Sequence, residues 1–167
     1  MMIKYDNSNV RRQERLLDEQ SALRMIRNGE FGVLSMIESD NGKQGAYGIP
    51  VSYVWDEDKY LYFHCAPAGH KLKCIDSFPM VSFTIVGQTN VISHKFTTAY
   101  ESVIIRGQLT RGLPLAERMH ALILLLDKYS PNDKETGLKY AEKSFHRTEI
   151  LKLEIESISG KTKRITP

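Results

Sequence analysis

Tyr62-Phe63-His64-Cys65-Ala66-Pro67-Ala68-Gly69-His70-Lys71-Leu72 is the stretch on which the fold turns. It begins as a strand, breaks at Ala66-Pro67-Ala68-Gly69 and resumes as a short helix over about residues 70 to 76, with Leu72 and Ile75 as its apolar face. A helix start carries free N–H groups and the positive end of the dipole, and both favour an anion. Gly69 lets a phosphate approach the backbone closely, and Lys71 adds a charge. The spacing is not that of a P-loop. On local physics alone, a surface helix with solvated His70 and Lys71 fits these residues equally well.

Upstream, Tyr60-Leu61-Tyr62-Phe63-His64 is preceded by the hairpin-type turn Asp56-Glu57-Asp58-Lys59. Before that turn, Ile49 to Trp55 alternates in the manner of a strand, and Pro50 within it requires an edge position or a bulge. Phe31 to Ile37 is a further short apolar run, closed by the turn signal Ser39-Asp40-Asn41-Gly42. Three successive strands with short connections predict an antiparallel meander. Asp18 as N-cap, Ala22, Met25 and Ile26 at helical spacing and Gly29 at the end predict a helix over 18 to 28. Residues 1 to 17 are mostly polar and read as an extended arm.

Downstream, Met80 to Val86 and Tyr100 to Leu109 are strands, separated by a polar stretch at 87 to 99 with no clear period. Pro114 to Tyr129 is an amphipathic helix with Leu115, Met119, Leu122, Ile123 and Leu126 on one face. Residues 130 to 146 are polar, with Pro131 and Gly137 as breakers; Glu149 to Ile158 alternates as a final strand, and 159 to 164 forms a basic tail. Six strands, two or three helices and no βαβ alternation predict a mainly β fold: an antiparallel six-stranded split β-barrel with peripheral helices.

The 167 residues fit a single domain over 1–167. The formal net charge of +3, from 23 basic and 20 acidic side chains, is too small to argue for nucleic acid, despite Arg11, Arg12, Arg15 and the tail Lys161, Lys163, Arg164. No apolar run is long enough to span a bilayer, and the start lacks the apolar core of a signal peptide. Cys65 and Cys74 have no second cysteine pair to complete a zinc site and read as two free thiols in a reducing, cytoplasmic setting. His94, His120 and His146 have no metal-like spacing, so no metal site is expected.

The pattern from Tyr60 through Ala66 to Gly69-His70-Lys71-Leu72 resembles the hallmark of the Nim-type nitroimidazole-resistance proteins. These belong to the FMN-binding, pyridoxamine-phosphate-oxidase-like split-barrel group. Tyr47 to Trp55 is similar to that group's second barrel strand, Phe96 to Gly107 to its later strand, and Leu153 to Lys161 to its ending. The resemblance covers roughly residues 12 to 164. It implies a homodimer with two flavins at the subunit interface. Val51 and Ser52 would contact the flavin ring system, and Phe63, His64 and Cys65 would line the same face. Gly69, His70 and Lys71 would hold the phosphate, Ser102 would lie near the flavin, and Thr97 and Thr98 would come from the partner subunit. FMN is the expected cofactor, with FAD admissible in an open site.

The expected activity is that of a flavin-dependent oxidoreductase taking electrons from a reduced donor and reducing a small nitro-aromatic such as a 5-nitroimidazole. His64 is the candidate catalytic residue: a neutral imidazole there donates to the flavin or the nitro group, or shuttles a proton. A strand-end histidine satisfied by a backbone carbonyl is the competing role. The alternative function is a non-catalytic flavin- or haem-binding module, with His64 or His70 as axial ligand.

Overall fold

The computed structural model describes residues 3–40 and 42–165. Met1 and Met2 of the expected arm, and Asn41 of the expected turn at 39–42, lie outside the described residues. Within them are eight strands, where the sequence pattern predicts six, and four α-helices.

The first strand, β1 (Lys4–Tyr5), lies parallel to the last, β8 (Glu149–Lys163), at Ser157 and Ile158. Helix α1 (Glu19–Asn28) starts as expected: the Asp18 carboxylate accepts from the Ser21 N–H at 2.8 Å and from its hydroxyl at 2.7 Å. Gly29 ends it at φ −64°, an ordinary conformation, so glycine is needed there for another reason. A Cβ on Gly29 would stand 2.7 Å from the Tyr53 hydroxyl. That hydroxyl donates to the Ile26 carbonyl at 2.6 Å and ties the end of α1 to the sheet.

β2 (Phe31–Asp40) and β3 (Lys43–Ser52) form an antiparallel hairpin in unbroken register. β3 is an edge strand, as Pro50 requires, and the continuous ladder turns the proline nitrogen away from β2. The predicted meander does not continue. β4 (Val54–Trp55) and β5 (Tyr60–Cys65) pair at the opposite end of the sheet. The reason is Tyr53, which is fully buried with its ring edge-on to Phe83 at 4.9 Å. It carries the chain through the core instead of along the sheet.

After α2 (His70–Ser77) come β6 (Met80–Ile92) and β7 (Thr97–Thr110). They extend through the stretch at 87–99 that shows no period, with a register shift between Val86 and Thr89. β2 reaches β6 only at Ser82–Thr84, so the outer part of β6–β7 is a two-stranded ribbon with solvent on both faces. No alternation is imposed there, because neither face is buried. At its tip Phe96 is 97% exposed and holds a left-handed φ of 48°.

Helix α3 (Leu115–Tyr129) buries Ala121 and Leu125, whereas Leu115, placed on the predicted core face, is 67% exposed. Residues 134–144 form a fourth helix, α4 (Lys134–Ser144), where the pattern predicts polar loop. Gly137 lies inside it as a contact residue: a Cβ there would come within 2.5 Å of Leu126 on α3. β8 runs on through the predicted basic tail to Lys163, because Gly160 and Thr162 face inward and the lysines outward.

The sheet order is β3-β2-β6-β7-β8-β5-β4, antiparallel throughout apart from β1. It is an open sheet with helices at its periphery, consistent with a split barrel. One face buries Leu34, Phe63, Phe83, Ile105 and Leu153; the other packs Val54, Tyr62 and Ile150 beneath Ala121 and Leu125 of α3. No helix among the described residues is long and apolar enough to cross a membrane.

Candidate functional site

The end of β5 decides which side chains can meet a ligand. Successive strand residues point to opposite faces. Phe63 is 0% exposed and packs edge-on against Phe83 at 5.1 Å in the main core. Cys65 packs against the same core cluster, while His64 points the other way. The three residues therefore do not line one face: Phe63 supports the site from below, and His64 projects into it.

His64 and Ser52 both line a groove of about 580 Å³ between α3 and α4, walled by Leu122, Leu125, Leu126 and Ala141. Among the described residues nothing hydrogen-bonds the His64 ring, so it is not a strand-end histidine satisfied by a carbonyl. Its tip reaches solvent, yet the surrounding protein disfavours imidazolium. Burial first, then the Lys71 charge, hold its pKa below the ordinary 6.5. The ring is neutral at physiological pH and can donate from one nitrogen and accept at the other. Burial likewise pushes the Cys65 thiol up, against the pull of Lys71 and Arg111, so Cys65 stays a thiol.

Gly69 precedes α2 with φ 146°, a conformation few side chains adopt, and a Cβ there would meet nothing within 4 Å. This leaves open space before the helix start, with half-buried Lys71 beside it. A phosphate fits such a cradle. His70 is committed elsewhere: its Nε2 lies 2.8 Å from Glu38 Oε2, and its ring stacks edge-on with Tyr47 at 4.7 Å. His70 thus braces α2 against β2 and β3, and leaves Gly69 and Lys71 as the residues of this turn not engaged there.

Val51 and Ser52 end β3 opposite Gly32 and Phe31. The following peptide is gripped by α3, a feature with no sequence signal. Tyr53 N–H donates to the Tyr129 hydroxyl at 2.9 Å, and Lys128 Nζ donates to the Tyr53 carbonyl at 2.9 Å. Thr97, Thr98 and Ser102 are not brought to this end. Ser102 lies opposite Lys161 on β8, whereas His64 lies opposite Ile150, a strand path of about 36 Å. Thr97 begins β7 at the tip of the ribbon, opposite Ile92, and accepts a hydrogen bond from Lys163. Among the described residues no group of three or more His, Cys, Asp or Glu side chains is placed to hold a metal ion.

A family model for pyridoxamine 5′-phosphate oxidase matches residues 18–162. No curated protein matches the chain. Among solved structures, a candidate 5-nitroimidazole antibiotic resistance protein from Bacteroides thetaiotaomicron is similar with a TM-score of 0.70 at 16% identity, covering 89% of this chain and 86% of its own. A FAD-binding protein from Mesorhizobium loti gives a TM-score of 0.62 at 20% identity over 90% of this chain and 98% of its own. The flavocytochrome Anf3 from Azotobacter vinelandii gives 0.73 at 17% identity over 100% of this chain and 78% of its own. At these identities the likenesses speak for the fold.

Proposed function

The chain belongs to the pyridoxamine 5′-phosphate oxidase family, and from that premise we propose that it is a flavin-dependent reductase of a small nitro-aromatic acceptor, working as a homodimer. The observation that carries this reading is the apolar groove that Ser52 and His64 line together, with the Lys71 charge near enough to act on the His64 ring. Similarity to a FAD-binding protein and to a flavocytochrome supports a flavin, and FMN is the cofactor proposed here. When bound, the flavin supplies the transfer of electrons from a reduced donor to the acceptor.

The protein's own groups do the rest. Gly69 and Lys71 hold the phosphate, and the Val51–Ser52 backbone and the Ser52 hydroxyl orient the ring system. His64 donates a proton to the acceptor as charge develops on it. Leu122, Leu125 and Leu126 exclude water from the acceptor's side. The outward face of β2 and β6 exposes Phe31, Val33, Ile37, Met80 and Val86, which suits a second copy of the chain. Such a copy brings its own Thr97, Thr98 and Ser102 within reach of this site. The free thiols Cys65 and Cys74 suit a reducing, cytoplasmic setting.

The test is the absorbance spectrum of the purified protein, followed by titration with FMN. A flavin spectrum, and a Lys71→Ala variant with affinity lowered about 10-fold or more, is the expected result. Unchanged affinity removes the phosphate role of Lys71. His64→Ala is expected to slow nitro-aromatic turnover more than it loosens FMN; the reverse pattern makes His64 a binding residue only.

One observation favours a second reading, a haem-binding module. His64 faces an apolar groove with an unbonded ring, whereas His70 is held by Glu38, so His64 is the better axial ligand of the two. A Soret-dominated spectrum lost in His64→Ala would select it.

A further inference from the structure

A second cavity, of about 680 Å³, adjoins the apolar groove at Ser52 and Tyr129. The two cavities share those residues and differ in everything else. The second is lined by Arg27, Asn28, Glu30, Phe31 and Lys128. Lys128 is half-buried, and its ammonium is fixed in place. It donates to the Tyr53 carbonyl at 2.9 Å and lies 3.8 Å from the centre of the Tyr53 ring and 5.4 Å from that of Tyr129. One donor is used by the carbonyl, and an ammonium has three. Among the described residues no carboxylate lies within ion-pair distance of it. Arg27, by contrast, is engaged by Glu57 at 2.7 Å. Glu30 is the acidic group in the wall, near enough to favour the cation but not to pair with it.

Half-burying a cation without an anionic partner is costly, and the cost falls when a ligand supplies the negative charge. The apolar groove carries the opposite sign, since Asp133 lines it. Charge and polarity therefore change across Ser52 and Tyr129: leucines and one acid in the groove, and two cations, one acid and an asparagine amide in the second cavity.

We propose that the two cavities form one bipartite acceptor site, selecting an aromatic molecule whose apolar body lies in the α3–α4 groove and whose anionic substituent meets Lys128. This deepens the reductase reading and rests on it for the identity of the ligand as an acceptor. It makes Lys128 a specificity-determining residue, with Asn28 as an auxiliary donor. It also sets an orientation, because a carboxylate in the groove would face Asp133 with no cation in the lining, whereas in the second cavity Lys128 outweighs Glu30.

The probes are 4-nitrobenzoate and its uncharged methyl ester, which share a ring and a nitro group. Binding of each is measured by calorimetry at pH 7, on protein with and without FMN, for wild type, Lys128→Met and Lys128→Arg. The expected result is at least 10-fold tighter binding of the carboxylate by wild type, loss of that preference in Lys128→Met and its retention in Lys128→Arg. Equal binding of the two probes by wild type, no binding of either, or an unchanged preference in Lys128→Met overturns the proposal. If Lys128→Met does not fold, the wild-type preference and the arginine variant still decide. FMN uptake is read separately: a protein that takes no flavin yet prefers the carboxylate loses the reductase reading and keeps the anion subsite.

Discussion

His64 carries the most chemistry for a single side chain, and its protonation is the property to measure. Burial, and then the positive charge of Lys71, disfavour its imidazolium form. Its NMR titration midpoint is expected below 6.5, the ordinary value. Lys71→Ala should raise the midpoint only part of the way back, because burial is the larger cause. A midpoint at or above 6.5 in the wild type would contradict the placement of the ring. The consequence for stability has a definite sign. As pH falls through 6.5, the unfolded chain takes up this proton before the folded chain does, so stability declines on the acid side of that point. Gly69 is the other residue whose local conformation has a functional reading, since open space lies where its side chain would be.

Elements succeed or fail on their contacts with neighbours, and Gly107 is the sharpest case. It sits at the bulge where β7 shifts register against β8, and a Cβ there would lie 1.9 Å from the Glu154 carbonyl oxygen. Backbone cannot step aside as a flexible side chain can. Gly107→Ala is expected to cost about 3 kcal/mol in urea unfolding, at the upper end for overpacking; a cost below about 1 kcal/mol would mean that the bulge absorbs the methyl. The sequence reports elements whose faces differ. α1 is legible from Asp18 to Gly29, and β5 and α2 from their punctuation at Ala66–Gly69. It does not report α4, because Gly137 looks like a breaker when its partner, Leu126, is unseen. Nor does it report the ribbon at 87–99, which buries neither face, or the grip of Lys128 and Tyr129 on the Tyr53 peptide, which joins residues 75 and 76 positions apart. The expectation that Phe63 shares a face with His64 fails on strand alternation, a rule already present in the sequence.

At the scale of the whole molecule, the candidate site is divided. Ser52, His64 and Lys71 gather at one end of the sheet, while Thr97, Thr98 and Ser102 sit at the other end of β7 and β8. If all six serve one flavin, two chains must meet, and the apolar outer face of β2 and β6 is where they would do so. Val33→Lys is expected to convert a dimer to a monomer in sedimentation velocity and to weaken FMN binding in parallel. A dimer that survives the charge would place the interface elsewhere. Such association would use the face of the sheet and leave its margins alone. Those margins have their own protection. At one end the outermost strand, β4, is two residues long. At the other, β3 presents Pro50 with its nitrogen turned outward. A bare strand margin is a template on which further chains can stack into fibrils, and a missing donor or a very short strand interrupts that growth. The proline whose missing donor faces outward thus also acts as a guard against aggregation, closing that margin of the sheet to further chains.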